Sequence, residues 1–159
     1  MKTLLMMVGI PGSGKTYYAK HNLINENTAY ISRDEVRFSM ITDEDEYFGK
    51  EKQVFNTFIK NIKEALNNDT INNIIVDATH LNWASRNKLL TALGLREGKY
   101  PELQVIPVVI NVPFDIAAKQ NEYRSGRACV PKSVIRRMFY QMTDPKNDPY
   151  KYKEVRYVY

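Results

Sequence analysis

Short apolar runs along the chain alternate with longer stretches in which apolar residues recur every three or four positions. Such runs are typical of buried strands, and the recurring spacing is typical of amphipathic helices. The runs predict strands at 4–8, 29–31, 72–77, 103–112 and 154–159. The spacing predicts helices at 15–24 and 34–40, a long helix ending at Leu66, and helices beginning near Asn82, Pro113 and Pro131.

This alternation predicts an α/β domain with a mainly parallel central sheet and helices on both faces. The 159 residues suit one domain, and no repeat, low-complexity tract or linker divides 1–159. Pro107 lies inside the fourth predicted strand and cannot donate a ladder hydrogen bond, so we expect an edge or a bulge there. In parallel sheets ligands bind at the carboxyl ends of the strands, where the polar candidates below lie.

Composition narrows the class of protein only moderately. Hydrophobic residues make up 43% and charged residues 26% of the chain, as in soluble globular proteins. No apolar run approaches the roughly 20 residues of a membrane span, and we expect a cytoplasmic protein without an export signal. The single cysteine, Cys129, excludes an internal disulfide, and two histidines leave no zinc cluster. The net charge of +5 favours a polyanionic ligand such as nucleic acid or nucleotide.

A glycine-rich segment joins the first predicted strand to the first predicted helix. It reads Gly-Ile-Pro-Gly-Ser-Gly-Lys-Thr over 9–16 and matches the motif G-x-x-x-x-G-K-[ST] in full. Backbone N–H groups of such a loop bind phosphates, Lys15 reaches the β- and γ-phosphates, and Thr16 ligates Mg²⁺. The segment therefore predicts a nucleoside triphosphate site formed by Gly9, Gly12, Ser13, Gly14, Lys15 and Thr16.

A carboxylate and a guanidinium follow the second predicted strand. Asp34 and Arg37 are three residues apart, so on a helix they share a face. The carboxylate can accept the proton of an attacking hydroxyl while the arginine holds an anion on the acceptor, as phosphoryl transfer to an alcohol requires. From the spacing alone, a solvent-exposed ion pair is an equal alternative.

The glycine loop, the segment 33–37, the segment 77–82 and the segment from Arg124 to Pro131 occur in an order that resembles the polynucleotide 5′-hydroxyl kinase family. The resemblance covers nearly the whole chain. It implies a P-loop, adenylate-kinase-like fold with a short lid, with ATP and Mg²⁺ as cofactors. It also implies that Asp34 is the general base and that Arg37 contacts the 3′-phosphate of the acceptor.

The same resemblance implies roles for residues at the end of the third predicted strand and in the loop after it. Asp77 ends an apolar strand and with Thr16 would position Mg²⁺, the alternative being a turn cap. Thr79 resembles the threonine that contacts the acceptor phosphate in the family. His80 is a lone loop histidine and is expected to be incidental to catalysis.

The resemblance also implies a lid over the nucleotide. Arg124 and Arg127 lie in a short loop that contains glycine, and Arg124 matches the lid arginine that neutralises charge during transfer. Many relatives carry a second lid arginine where this chain has Gln120. Basic and aromatic residues interleave at 151–157, which favours an edge strand over a surface for stacking single-stranded nucleic acid.

These features predict a kinase that uses ATP and Mg²⁺ to phosphorylate the 5′-hydroxyl end of DNA or RNA, without 3′-phosphatase activity. One alternative is a kinase of the same fold that acts on a nucleoside, a sugar, an antibiotic, a nucleotide-sugar or a nucleotide. Another is a nucleotide-dependent switch with no acceptor, in which Asp34 is structural. The oligomeric state is left open.

Overall fold

The computed structural model describes residues 2–42, 46, 49–124 and 130–159, so Arg127 and Cys129 lie outside the described residues. The strands are β1 (Thr3–Val8), β2 (Thr28–Ser32), β3 (Asn73–Asp77), β4 (Gln104–Ile110) and β5 (Arg156–Val158). The helices are α1 (Lys15–Asn22), α2 (Arg33–Met40), α3 (Glu51–Leu66), α4 (Trp83–Ala92), α5 (Phe114–Glu122) and α6 (Lys132–Gln141). Single 3₁₀ turns cover Leu95–Glu97 and Pro145–Asn147.

The five strands form one sheet in the order β2-β3-β1-β4-β5, and every pairing is parallel. The predicted α/β class with a parallel sheet is therefore confirmed. β1 is central, because Thr3 lies beside Asn73 of β3 on one side and beside Gln104 of β4 on the other. Parallel pairing brings the carboxyl ends of β1, β2 and β3 to one edge of the sheet, which is where the candidate site residues begin.

Both faces of the sheet are covered by helices, so the strands are apolar on both sides. One face packs against α3 and α4 in a cluster that contains Leu4, Met6, Ile74, Val76, Phe58, Ile62, Leu89 and Leu90. The other face packs against α1 in a cluster that contains Leu5, Met7, Ile75, Ile106, Val108 and Ala19. Alternate residues of β1 thus enter opposite clusters, as the twofold repeat of a strand requires.

The edge strand or bulge expected at Pro107 is not observed, because the register between β1 and β4 continues through Pro107 without interruption. β4 is not the edge strand of the sheet, since β5 pairs with its residues 108–110. The carbonyl of Val105 accepts a hydrogen bond from Lys153 N, so the backbone groups of Val105 point towards the segment that leads into β5. Residues two apart in a strand direct their backbone groups to the same side, so the backbone of Pro107 also faces β5. Pro107 precedes the β5 pairing, and its missing N–H therefore removes no bond of the β4–β5 ladder.

Side chains cap the first turns of α2 and α4. The hydroxyl of Ser32 accepts a hydrogen bond from Glu35 N at 3.2 Å and caps α2. Asn82 caps α4 in a reciprocal box with Ser85, as expected of an asparagine before a helix. The cap on α2 fixes the first helical turn at the end of β2, and this turn carries Asp34.

A buried ion pair fastens the segment after α6 to α4. Arg86 is fully buried and binds Asp148 at two points, with Nε 2.7 Å from Oδ2 and Nη2 2.9 Å from Oδ1. Its Nη1 donates to the carbonyl of His80 at 2.8 Å, and its Nη2 also donates to the hydroxyl of Thr143 at 2.9 Å. The Tyr152 hydroxyl completes this Arg86 network by donating to Asp148 at 2.7 Å.

The edge strand favoured for the C-terminal segment is observed as β5, which lies at the end of the sheet. Within the described ranges, no helix is both long enough and apolar enough to span a membrane.

Candidate active site

A cavity of about 900 Å³ opens at the carboxyl ends of the first three strands. Its walls combine residues from the glycine loop, β3, the loop after β3 and the helices α1 to α6. The predicted site residues that line it are Gly12, Gly14, Lys15, Thr16, Asp34, Arg37, Asp77, Thr79 and Arg124, together with Gln120. Gly9 and Ser13 belong to the same loop but do not line the cavity, and Arg127 lies outside the described residues.

The glycine loop has two positions that only glycine suits well. Gly12 has a φ of +81°, and a Cβ there would lie 2.2 Å from the carbonyl oxygen of Ala117 in α5. Gly14 has a φ of +93° and caps α1, yet a Cβ there would meet no atom within 4 Å. Gly12 is therefore required by close packing against α5, whereas Gly14 is required by the backbone turn alone.

The loop presents a cationic and hydrogen-bonding surface to the cavity. α1 begins at Lys15, so the positive end of its dipole lies at the loop. The Lys15 Nζ lies 3.2 Å from the Ile10 carbonyl. Desolvation lowers the pKa of Lys15, while the negative charges of Asp77 and Asp34 oppose this effect. A phosphate bound beside the ammonium group would compensate the desolvated charge.

Thr16 and Asp77 form an oxygen-rich pair suited to Mg²⁺. The Thr16 hydroxyl donates to Asp77 Oδ2 at 2.7 Å, and Tyr30 donates its hydroxyl to the same carboxylate oxygen. Burial, followed by the bond to Asp77, raises the pKa of Tyr30, so the phenol stays protonated. No group of three or more His, Cys, Asp and Glu within the described ranges could hold a metal. Mg²⁺ needs few protein ligands when phosphates and water complete its shell, so this pair fits it.

Asp34 lies between two guanidinium groups at the cavity. It forms an ion pair with Arg37 Nη1, and Arg124 Nη2 lies 3.4 Å from its Oδ2. The Asp34 side chain is 39% exposed, so it is open to an acceptor from the cavity. Arg37 is 5% exposed, which excludes the alternative of an ion pair on a solvent-exposed helix face.

Glu51, in the first turn of α3, is a site residue that the sequence reasoning missed. Its Oε1 lies 2.8 Å from Arg37 Nη2 and 2.6 Å from Arg33 Nη2, and its Oε2 lies 3.3 Å from Arg37 Nε. Arg37 is therefore held by carboxylates from two helices. No local motif marks Glu51, because its role depends on how α3 packs against α2.

Thr79 and His80 are neighbours in the loop after β3 but make different contacts. Thr79 lines the cavity, and its carbonyl accepts a hydrogen bond from Gly9 N at 3.0 Å, which ties this loop to the glycine loop. His80 is buried with a φ of +44°, and its Nδ1 lies 2.7 Å from the Met7 carbonyl. Because a carbonyl only accepts, Nδ1 carries the proton. Burial lowers the pKa of His80 to about 4, so the ring is neutral near pH 7.

We expect the free energy of unfolding to fall as pH decreases from about 6.5 towards 4. The unfolded chain protonates His80 in this range and the folded chain does not, so stability drops at up to about 1.4 kcal/mol per pH unit. Urea unfolding at several pH values would measure the slope. The control is His80→Asn, since asparagine tolerates positive φ and its amide can donate to the Met7 carbonyl. Equal slopes in both proteins would contradict the assignment.

The fold and this site together define the class of the protein. A phosphate-binding loop after the central strand, a carboxylate at the end of β3 and a carboxylate with two arginines at the cavity are the parts of a P-loop kinase. Within that class, the chain belongs to the AAA domain family (AAA_33), whose model matches residues 4–145.

Solved structures with the same fold include a chain of an RNA repair complex, an RNA kinase and a gluconokinase. A chain of the Pnkp1/Rnl/Hen1 RNA repair complex superposes with a TM-score of 0.69 and 22% identity, over 88% of this chain and 43% of that one. A fungal RNA kinase gives 0.67 and 15%, over 99% of this chain and 74% of its own. A gluconokinase from Sinorhizobium meliloti 1021 gives 0.58 and 16%, over 98% and 81%. Our chain thus spans less than half of the RNA repair chain, and at these identities the likeness shows the fold alone.

Proposed function

We propose that this protein transfers the γ-phosphoryl group of ATP to the 5′-hydroxyl end of a DNA or RNA strand. The observation that carries the proposal is the position of Asp34, which lies between Arg37 and Arg124 in the cavity that also holds the glycine loop. The cavity is lined by five basic and three acidic described side chains, so it favours an acceptor that is itself anionic.

Asp34 is the proposed general base. Its carboxylate accepts the proton of the 5′-hydroxyl as the new O–P bond forms and the bond from the γ-phosphorus to the bridging oxygen of ADP breaks. Lys15 at the start of α1 and Arg124, two residues after α5, stabilise the charge on the transferring group and on ADP. Arg124 Nη2 lies 3.4 Å from Asp34 Oδ2, so the proposed base and the arginine that stabilises the transferring group lie on the same side of the cavity.

Thr16 and Asp77 are the residues that would hold Mg²⁺ beside the phosphates. When bound, the ion neutralises phosphate charge and orients the triphosphate for in-line transfer. Tyr30 contributes by fixing the Asp77 carboxylate through its hydroxyl hydrogen bond. Removal of Mg²⁺ by a chelator should therefore stop the transfer.

Arg37 and Thr79 are the proposed contacts to the phosphate on the acceptor. Both line the cavity, on α2 and on the loop after β3. Glu51 already binds Arg37 at two points, so an acceptor phosphate would share the guanidinium with that carboxylate.

This engagement of Arg37 by Glu51 favours one competing function, a kinase for a small acceptor that lacks a phosphate. In that case Arg37 and Glu51 together would only support Asp34. The gluconokinase fold is consistent with this alternative, because the same scaffold carries out phosphorylation of a sugar acid in that protein.

Parallel assays with labelled ATP and Mg²⁺ would separate the two functions. The acceptors are a 5′-hydroxyl oligonucleotide, a nucleoside 3′-monophosphate, a free nucleoside and gluconate. Label on the first two acceptors and much less on the others is the expected result. Label on gluconate or the free nucleoside alone would overturn the proposed function in favour of the small-acceptor kinase.

A further inference from the structure

A second concavity, which we call the α3–α4 groove, runs beside the active-site cavity. It has a volume of about 760 Å³, and its lining includes Phe55, Lys60, Lys63 and Glu64 from α3 and Ala92 from α4. Phe55 also lines the active-site cavity, so the two concavities are adjacent at this residue. A ligand longer than the cavity could therefore continue into the groove without crossing the sheet.

The junction between the two concavities is basic. The Lys88 Nζ lies 4.3 Å from the centroid of the Phe55 ring, and the Arg33 guanidinium carbon lies 5.4 Å from it. Lys88 is exposed and also lines the cavity. Arg33 is held by Glu51, whereas Lys88 makes no ion pair with another described residue.

Lys60 and Lys63 continue this positive character along the groove. Both are exposed, and neither forms an ion pair in the part of the chain that the structure describes. Glu64 is the acidic residue among the groove's described lining, so the groove with Lys88 keeps a positive excess. Unpaired lysines on a path that leads away from a phosphate-transfer cavity are complementary to a chain of phosphodiesters.

We propose that the α3–α4 groove binds the phosphodiester backbone of the acceptor strand beyond its 5′-terminal nucleotide. Lys88 contacts the strand as it leaves the cavity, and Lys60 and Lys63 contact the following phosphates. This inference rests on the proposed function, and it explains how the enzyme would prefer a polynucleotide to a single nucleotide. A mononucleotide ends within the cavity and gains nothing from these lysines.

The first test measures binding without catalysis. Fluorescence anisotropy would follow a labelled single strand of about eight nucleotides, within the range of single-strand site sizes, at several salt concentrations. The variants are K60A/K63A and the charge-matched control K119A/K146A, whose lysines line neither concavity. K60A/K63A should weaken binding and reduce the slope of log K against log salt by about 0.7 per lysine. If K60A/K63A shows the same salt slope as the wild type, or if the wild type does not bind the strand, the groove proposal is wrong.

The second test uses turnover and separates the groove from the proposed function. In the wild type, KM should fall as the acceptor lengthens from a nucleoside 3′-monophosphate to the longer strand, and K60A/K63A should lose this dependence. If the wild type phosphorylates both acceptors with equal KM, the groove proposal fails and the proposed function stands. If it phosphorylates neither, the proposed function fails, and the anisotropy result alone decides whether the groove binds nucleic acid.

Discussion

Replacing Asp34 by asparagine is expected to lower kcat by about 10² to 10⁴-fold, the range in which a positioned general base contributes. Asparagine keeps the shape of the side chain and can still accept a hydrogen bond from Arg37 or Arg124, but it cannot take a proton from the acceptor hydroxyl. The loss should therefore appear in kcat, whereas the affinity for ATP should change little because Lys15 and the glycine loop remain intact. Labelled-phosphate transfer and calorimetric titration with ATP measure the two quantities.

Glu35→Gln is the matched control for this prediction. Glu35 lies in the same helical turn, its side chain is 62% exposed, and its ion-pair partner among the described residues is Lys20 at 3.7 Å. The control should keep nearly full activity. If Asp34→Asn turns over at the wild-type rate, the assignment of the base is wrong. If both variants lose activity equally, the cause is the net charge of α2 and not proton transfer.

The largest expected effect on stability follows from Arg86→Met. This substitution leaves Asp148 charged and 3% exposed, with only the Tyr152 hydroxyl of the Arg86 network still donating to it. Breaking one half of a buried pair typically costs about 3 to 5 kcal/mol. For a domain of this size we expect Tm to fall by roughly 10 °C. Chemical and thermal unfolding followed by circular dichroism would measure the change.

Two further variants distinguish the ion pair from simple loss of side-chain volume. Arg137→Met alters an exposed arginine of α6 and should change stability by less than about 0.5 kcal/mol. The double variant Arg86→Met with Asp148→Leu removes both charges and should recover part of the loss, since apolar replacement of a whole pair is often tolerated. A double variant as unstable as the sum of its single changes would mean that the two residues do not act as a pair.

The predicted site residues that the structure brings to one cavity are mostly those whose sequence determinants are contiguous. The glycine loop, Thr16 and the strand-end Asp77 each follow from a motif and its position after an apolar run, and the structure brings them to one cavity. Asp34 and Arg37 share a helix face, as their spacing predicts. Their catalytic roles stay predictions until the variants above are measured.

The parts that the sequence does not predict depend on contacts between distant elements. Glu51 reaches Arg37 only because α3 packs on α2, and no pattern marks that packing in advance. In the sequence, Tyr30 is one residue of a short apolar strand, and nothing there marks it as part of the site. Only the structure shows that its hydroxyl binds Asp77. An arginine within a helix is usually expected to be exposed to solvent. Arg86 is instead fully buried, because Asp148, from the segment after α6, forms an ion pair with it.

The position of β1 at the centre of the sheet affects how the chain folds. β1 is synthesised before its neighbours, yet it has no adjacent strand until Asp77 has been made and no second one until Ile110 has been made. All four strand pairings are parallel, so none can form as a local hairpin. High contact order of this kind slows folding, because loop closure precedes the gain from pairing. During translation, the apolar strand that leads into the phosphate loop therefore has no strand to pair with until β3 has been made.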